Sequence, residues 1–211
     1  IDQFDPKAHP MEKVKLTLMD KWVLSRLNQL VKRVDDDLTN YRIPEPARAI
    51  TEFVDDLSNW YVRRCRERFW GKGMDDTKEA AFITLYTVLS TLAKVIAPFV
   101  PFMAEDMYQN LVRGVDPAAP QSVHLCDFPI ADESLIDEGL NTQMAAVLNV
   151  VSLGRACRAA ANLKVRQPVQ TLYVKGTAFG DDFRALAEDE LNVKSVVFTD
   201  DARAFTTYNL K

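Results

Sequence analysis

Glycine is sparse and scattered: seven residues in 211, never adjacent, with no G-x-x-x-x-G-K and no G-x-G-x-x-G run. Neither common phosphate-cradling loop can be built from them. Histidine is scarcer still. His9 and His124 are the only two, and neither follows a Glu by three positions, which removes the Glu-x-x-His arrangement of di-iron helical bundles. Cys65, Cys126 and Cys157 are odd in number and form no CxxC pair. That excludes a disulfide framework and a Cys-rich zinc site, and it fits a reducing cytosol. No apolar run reaches the roughly 18 residues that a membrane helix needs. The first residues, Ile1-Asp2-Gln3-Phe4-Asp5, carry neither an initiator Met nor a basic-then-apolar leader, so this start reads as an internal cut through a longer polypeptide. No nucleophile–base pair, ligand cluster or internal repeat is apparent, so no catalytic and no metal-binding residue is assigned.

What is present is an ordinary soluble composition. Hydrophobic residues make up 47%, enough for one large domain or one and a fraction. The formal charge of −4 argues against a protein that coats nucleic acid indiscriminately, but it permits a local basic patch. Residues 1–16 lack periodicity and read as a lead-in linker. From Asp20, taken as an N-cap, Val23, Leu27, Leu30, Val34 and Leu38 recur at helical spacing. Pro44 and Pro46 open a second helix that runs to about Trp70, where Gly71 and Gly73 stop it. Asp75 or Asp76 caps a third helix with Ala81, Leu85, Leu89, Leu92 and Ile96 on one stripe, and Pro98 and Pro101 lead into a fourth near Phe102–Arg113. The longest loop follows, with Ser122–Leu125 as a short extended piece. A fifth helix fits Asp137–Asn162, with Leu140, Met144, Val147, Val151 and Leu148 inward. After Lys164 a strand (171–174), a helix (182–191) and a second strand (195–199) are expected. The fold class is therefore mainly α: a bundle of about five helices over 17–162, then a small α/β segment over 163–211.

Asn59–Lys72, NWYVRRCRERFWGK, holds five positive residues against Glu67 alone. On a wheel of about 100° per residue, Ile50, Phe53, Val54, Leu57, Tyr61 and Cys65 share an inward arc, while Asn59, Arg63, Arg66 and Trp70 lie opposite. A Trp between arginines on an outward face suits stacking on an unpaired base flanked by phosphate contacts. Arg64 and Arg68 fall on the apolar arc, so they require carboxylate partners such as Asp55 or Asp56, or a helix end that projects beyond the bundle. The plain alternative is a salt-bridged helix surface. A second group is Arg155, Arg158, Lys164, Arg166 and Lys175, within a stretch that has no acidic residue between Glu138 and Asp181. It could attract phosphates, or its cations could complement a helix C-terminus.

Asp55–Arg64 (DDLSNWYVRR), continued by Arg66, Arg68, Phe69 and Trp70, resembles the helix signature of isoleucyl-tRNA synthetases. So do Asp20–Leu27 (DKWVLSRL), Leu92–Tyr108, Ser122–Pro129 (SVHLCDFP) and Lys164–Pro168 (KVRQP), in the family's order over roughly 18–200. The resemblance implies the helical anticodon-binding domain of a class I aminoacyl-tRNA synthetase, a cytoplasmic ligase of protein biosynthesis. Its partners would be tRNA(Ile) and the catalytic and editing domains of the same polypeptide, with no DNA and no membrane. Arg63, Arg64, Arg66, Arg68, Trp70, Arg155, Arg158, Lys164 and Arg166 are the candidate RNA-binding residues. The HIGH and KMSKS motifs of the family's nucleotide fold are absent here, so no cofactor is expected on this chain. ATP and magnesium belong to the full-length enzyme, and zinc to other segments. Valyl- and leucyl-tRNA synthetases share the architecture and remain an alternative, as does a helical protein-interaction scaffold, because Arg and Trp are also hot-spot residues of protein interfaces.

Overall fold

A computed structural model describes residues 4–176 and 178–200; the parts of the lead-in and of the 163–211 segment that fall on 1–3, 177 and 201–211 lie outside the described residues. The elements in chain order are α1 (Leu18–Thr39), α2 (Pro44–Asp56) continued by a π-helical segment (Leu57–Val62), α3 (Arg66–Trp70) and α4 (Asp76–Ile96). They are followed by α5 (Pro101–Tyr108) with a π-helical extension (Gln109–Arg113), α6 (Glu138–Ala160), β1 (Val169–Lys175), α7 (Asp181–Leu191) and β2 (Val193–Thr199). The chain is mainly α, with a small α/β segment at the end. β1 and β2 pair in parallel from Val169↔Val193 to Lys175↔Thr199, joined through α7.

Two compact units emerge, Ile1–Asp137 and Glu138–Lys211. This division differs from the expected one at 162/163. α6 packs on α7, and Arg158 near its end donates to the Leu191 and Asn192 carbonyls, so the helix belongs with the strand–helix–strand piece. Gly154 makes that approach close: a Cβ there would lie 2.6 Å from a Leu191 methyl.

In the first unit, α1 starts one turn earlier than the Asp20 cap predicts. Thr17 is the N-cap, and Asp20 is the third helical residue of a reciprocal capping box. α2 opens on Pro44, and Ala49, Phe53, Leu57, Tyr61 and Cys65 are all buried. Those positions are four apart, and in an α-helix each such step drifts by about 40°. The wider i→i+5 turn over Leu57–Val62 takes up part of that drift and keeps Tyr61 and Cys65 inward. Val54, placed inward by a uniform wheel, is exposed instead.

α4 has the length and apolarity of a membrane-crossing helix, but half of that window is buried among α1, α3 and α5, as in a core helix. Ser122–Leu125 is not extended: Val123–Leu125 is a 3-10 turn. Glu105 fixes it, accepting from the Ser122 hydroxyl at 2.8 Å and the Val123 N–H at 2.9 Å. Farther along the loop, Asn28 Oδ1 and Ser25 Oγ on α1 accept the Asp132 and Asp137 N–H groups.

Among the described residues the most buried charged side chain is Asp20, with no exposure. Its carboxylate accepts from Arg68 Nη1 at 2.9 Å and Nη2 at 2.8 Å, from the Tyr61 hydroxyl at 2.7 Å, and from the Thr17 N–H and hydroxyl. Burial alone raises such a carboxyl, but the donors from Arg68, Thr17 and Tyr61 outweigh it and hold Asp20 below the usual carboxylate range. Asp56 shows the opposite balance. Burial raises it despite its 3.1 Å pair with Arg26.

Asp20 therefore stays ionised in the folded protein at a pH where the unfolded chain, titrating near about 3.9, is already protonating. Its stabilisation is complete above that value and is lost as pH falls through the lower folded one. Removing one partner of a buried pair costs about 3–5 kcal/mol, so Asp20→Asn should be destabilised by that order at neutral pH and lose less further stability below about pH 4. Urea unfolding from pH 7 to 3 measures both; a variant with the parent's acid limb contradicts this role for Asp20.

Candidate nucleic-acid interface

The basic and aromatic end of the second helical arm is built on that buried carboxylate. Arg68 makes a two-pronged pair with Asp20, while its Nε and Nη2 donate to the Thr77 carbonyl at 3.1 and 2.7 Å. The carboxylate that the apolar-arc position demands is thus Asp20, on another helix, rather than Asp55 or Asp56. This use of the guanidinium makes Arg68 an internal tie between α1, α3 and α4. Arg64 is half-buried near Cys65. Burial pushes the Cys65 thiol up, against the opposing pull of Arg68, so it is a packed thiol rather than a reactive thiolate.

The outward side carries Arg63, Arg66, Trp70 and Lys72, all exposed. Arg63 donates through Nε to the Asn59 carbonyl at 2.8 Å and lies 6.0 Å over the Trp60 ring. Arg66 has no protein partner among the described residues, and Trp70 is 79% exposed. A large aromatic ring left in water beside exposed cations is the exception to ordinary burial, and it offers a stacking face flanked by phosphate donors.

The second basic group does not act as one. Arg158 is buried and donates to four carbonyls, of Lys164, Gln167, Leu191 and Asn192, at 2.7–3.1 Å. Arg155 pairs with the buried Glu190 at 2.6 Å, which supplies from α7 the acid that the local stretch lacks. Lys164, Arg166 and Lys175 remain exposed. Sequence spacing held the signal for Arg158: Leu140, Met144, Val147, Val151, Gly154 and Arg158 form one buried stripe on α6. Asp20 was equally readable as the acid that closes a Thr-x-x-Asp cap, three residues after Thr17.

Beside Arg158 lies an apolar cavity of about 70 Å³, lined by residues that include Gly154, Cys157, Leu172, Leu191 and Val193. It contains no acid–base pair. Among the described residues no group of three or more His, Cys, Asp and Glu side chains is placed to hold a metal ion.

The family described as "Anticodon-binding domain of tRNA ligase" matches residues 20–173, a span that holds the first basic group and all of the second except Lys175. Among curated proteins, the chain is 46% identical over 211 residues to an isoleucine--tRNA ligase of Clostridium novyi (strain NT), covering 100% of this chain and 20% of the relative. It is 48% identical over 201 residues to the isoleucine--tRNA ligase of Dehalococcoides mccartyi, covering 93% of this chain and 20% of the relative. With isoleucine--tRNA ligase 2 of Bacillus cereus it shares 44% over 215 residues, again 100% and 20%. The chain thus spans about a fifth of the length of the curated relatives it matches.

The two exposed cations and the buried Arg158 should separate in a stability assay. Arg158→Ala strips charged donors from four carbonyls, and hydrogen bonds to charged groups contribute about 1.5–3 kcal/mol each. Thermal or urea unfolding should show a loss of at least that order, whereas Lys164→Ala and Arg166→Ala should stay within about 0.5 kcal/mol. Equal, small effects at all three positions contradict the internal role of Arg158.

Proposed function

We propose that this chain, which belongs to the family of anticodon-binding domains of tRNA ligases, binds the anticodon stem and loop of tRNA(Ile) within an isoleucine--tRNA ligase of the cytoplasm. The observation that carries the reading is the exposed Trp70 beside Arg66 and Lys72, inside the matched span 20–173. The choice of tRNA(Ile) follows the names of relatives 43–48% identical to it. Arg63, Arg66 and Lys72 meet phosphates and Trp70 stacks on an unpaired base; on the second unit Lys164 and Arg166 are separate phosphate contacts. Arg64 contributes from its half-buried position next to Arg63.

The contribution to catalysis is positional. Amino-acid activation with ATP and magnesium, and the removal of valine that a hydrophobic isoleucine pocket rejects by only about 1–3 kcal/mol, take place in other domains of the same polypeptide. Gripping the tRNA far from the reacting end lets binding energy hold that end in productive geometry.

Titration of the full-length protein with tRNA(Ile) across salt concentrations tests this. Arg63→Ala with Arg66→Ala should flatten the slope of log affinity against log salt by about 0.7–0.9 for each phosphate that is no longer neutralised. Trp70→Ala should weaken binding by roughly 1–3 kcal/mol with little change of slope. A triple variant that binds tRNA like the parent at every salt concentration moves the site elsewhere, and a nearly salt-independent parent favours a protein partner instead. The isolated chain should give no isoleucine-dependent exchange of pyrophosphate into ATP; measurable exchange by a clean preparation refutes the division of labour.

A further inference from the structure

The helical arm that carries Trp70 is not continuous. Cys65 leaves helical backbone at φ −81° and ψ 6°, and the α3 that follows has five residues. The Cys65 N–H bond to the Tyr61 carbonyl (2.9 Å) and the Phe69 N–H bond to the Cys65 carbonyl (3.1 Å) carry α3 across this break, but a helix of five residues is marginal in water and needs further support. Side chains supply it. Lys78 Nζ donates to the Gly71 carbonyl at 2.8 Å and closes the C-terminal end. Phe69 stands edge-on to Tyr61 and Phe82, with ring centroids 6.4 and 5.7 Å apart. Arg68 does more than either, because its fork spans two elements: both Asp20 oxygens in the first turn of α1, and the Thr77 carbonyl in the first turn of α4.

We propose that Arg68 is a positioning residue for RNA binding: its fork on Asp20 and Thr77 sets the direction in which α3 presents Arg66 and Trp70, and it touches no RNA itself. The inference rests on the reading that Trp70 stacks on an RNA base. Arginine is required because its planar guanidinium holds several acceptors in one fixed geometry, whereas lysine keeps the charge but lets the helix swing. Position therefore separates from charge.

A double-mutant cycle in the full-length protein tests it: parent, Arg68→Lys, Trp70→Ala and the double variant, each titrated with tRNA at one salt concentration. Trp70→Ala should weaken binding by about 5- to 150-fold, the range expected for one stacked base. Arg68→Lys should weaken it by roughly fivefold or more in the parent, and by less than about twofold when Trp70 is already Ala. Asp20→Glu shifts the carboxylate by one methylene and should reproduce that pattern, which covers the case of an Arg68→Lys protein that does not fold. Equal losses in both Trp70 backgrounds overturn the proposal, since a purely structural role does not depend on that ring. So does full affinity of Arg68→Lys and Asp20→Glu. If Trp70→Ala itself binds like the parent, the stacking reading fails and the proposal falls with it.

Discussion

A carboxylate with no exposure to water constrains the first unit more than any other group. Asp20 cannot be buried as an ion without donors around it, and those donors come from three places in the chain: Thr17 before α1, Tyr61 in the π-helical segment and Arg68 on α3, which also reaches the Thr77 carbonyl of α4. Satisfying one ion thus ties together the starts of α1 and α4 and the short helix between them. An apolar residue at position 20 could fill the volume, but it would not orient an arginine 48 positions later.

The same logic operates in the second unit with backbone in place of a carboxylate. Arg158 gathers carbonyls from the turn after α6 and from the end of α7, and Glu190 on α7 returns a charge to Arg155. Of the cations that look like a solvent-facing array, Arg158 is thereby turned inward and Arg155 is held by an acid at the surface, while Lys164, Arg166 and Lys175 stay exposed.

Elements set by local periodicity were legible in the sequence. The stripe of α1, the prolines that open α2 and α5, the Asp75 cap and the strand–helix–strand ending all follow from neighbours within a turn or two. By contrast, α4 buries Ala81, Thr84, Val88, Leu92 and Val95 and leaves the expected Leu85 and Leu89 half-buried. What was not legible depends on distance in the chain. A wheel of uniform pitch cannot foresee the π-helical turn at Leu57–Val62, and so it misplaces Val54. Nor does position on an arc reveal whether an arginine finds its partner in water or in the core. Arg66 and Arg68 are two residues apart, and one faces solvent while the other meets Asp20. The unit boundary at Asp137 is of the same kind, because α6 is assigned by what packs on it rather than by its own sequence.

A buried ion that orders a short helix, and an aromatic ring that this helix leaves in water, together carry the proposal that the chain holds RNA through Trp70. Hydroxyl-radical footprinting of the full-length protein, read by mass spectrometry at single side chains with and without tRNA, reports on that ring directly. Trp22 is buried and Trp60 half-buried, so Trp70 is the tryptophan of this chain best placed to be oxidised in the free protein. The account predicts that saturating tRNA suppresses oxidation at Trp70. Oxidation of Trp70 at the same rate in the free and tRNA-bound protein would contradict it.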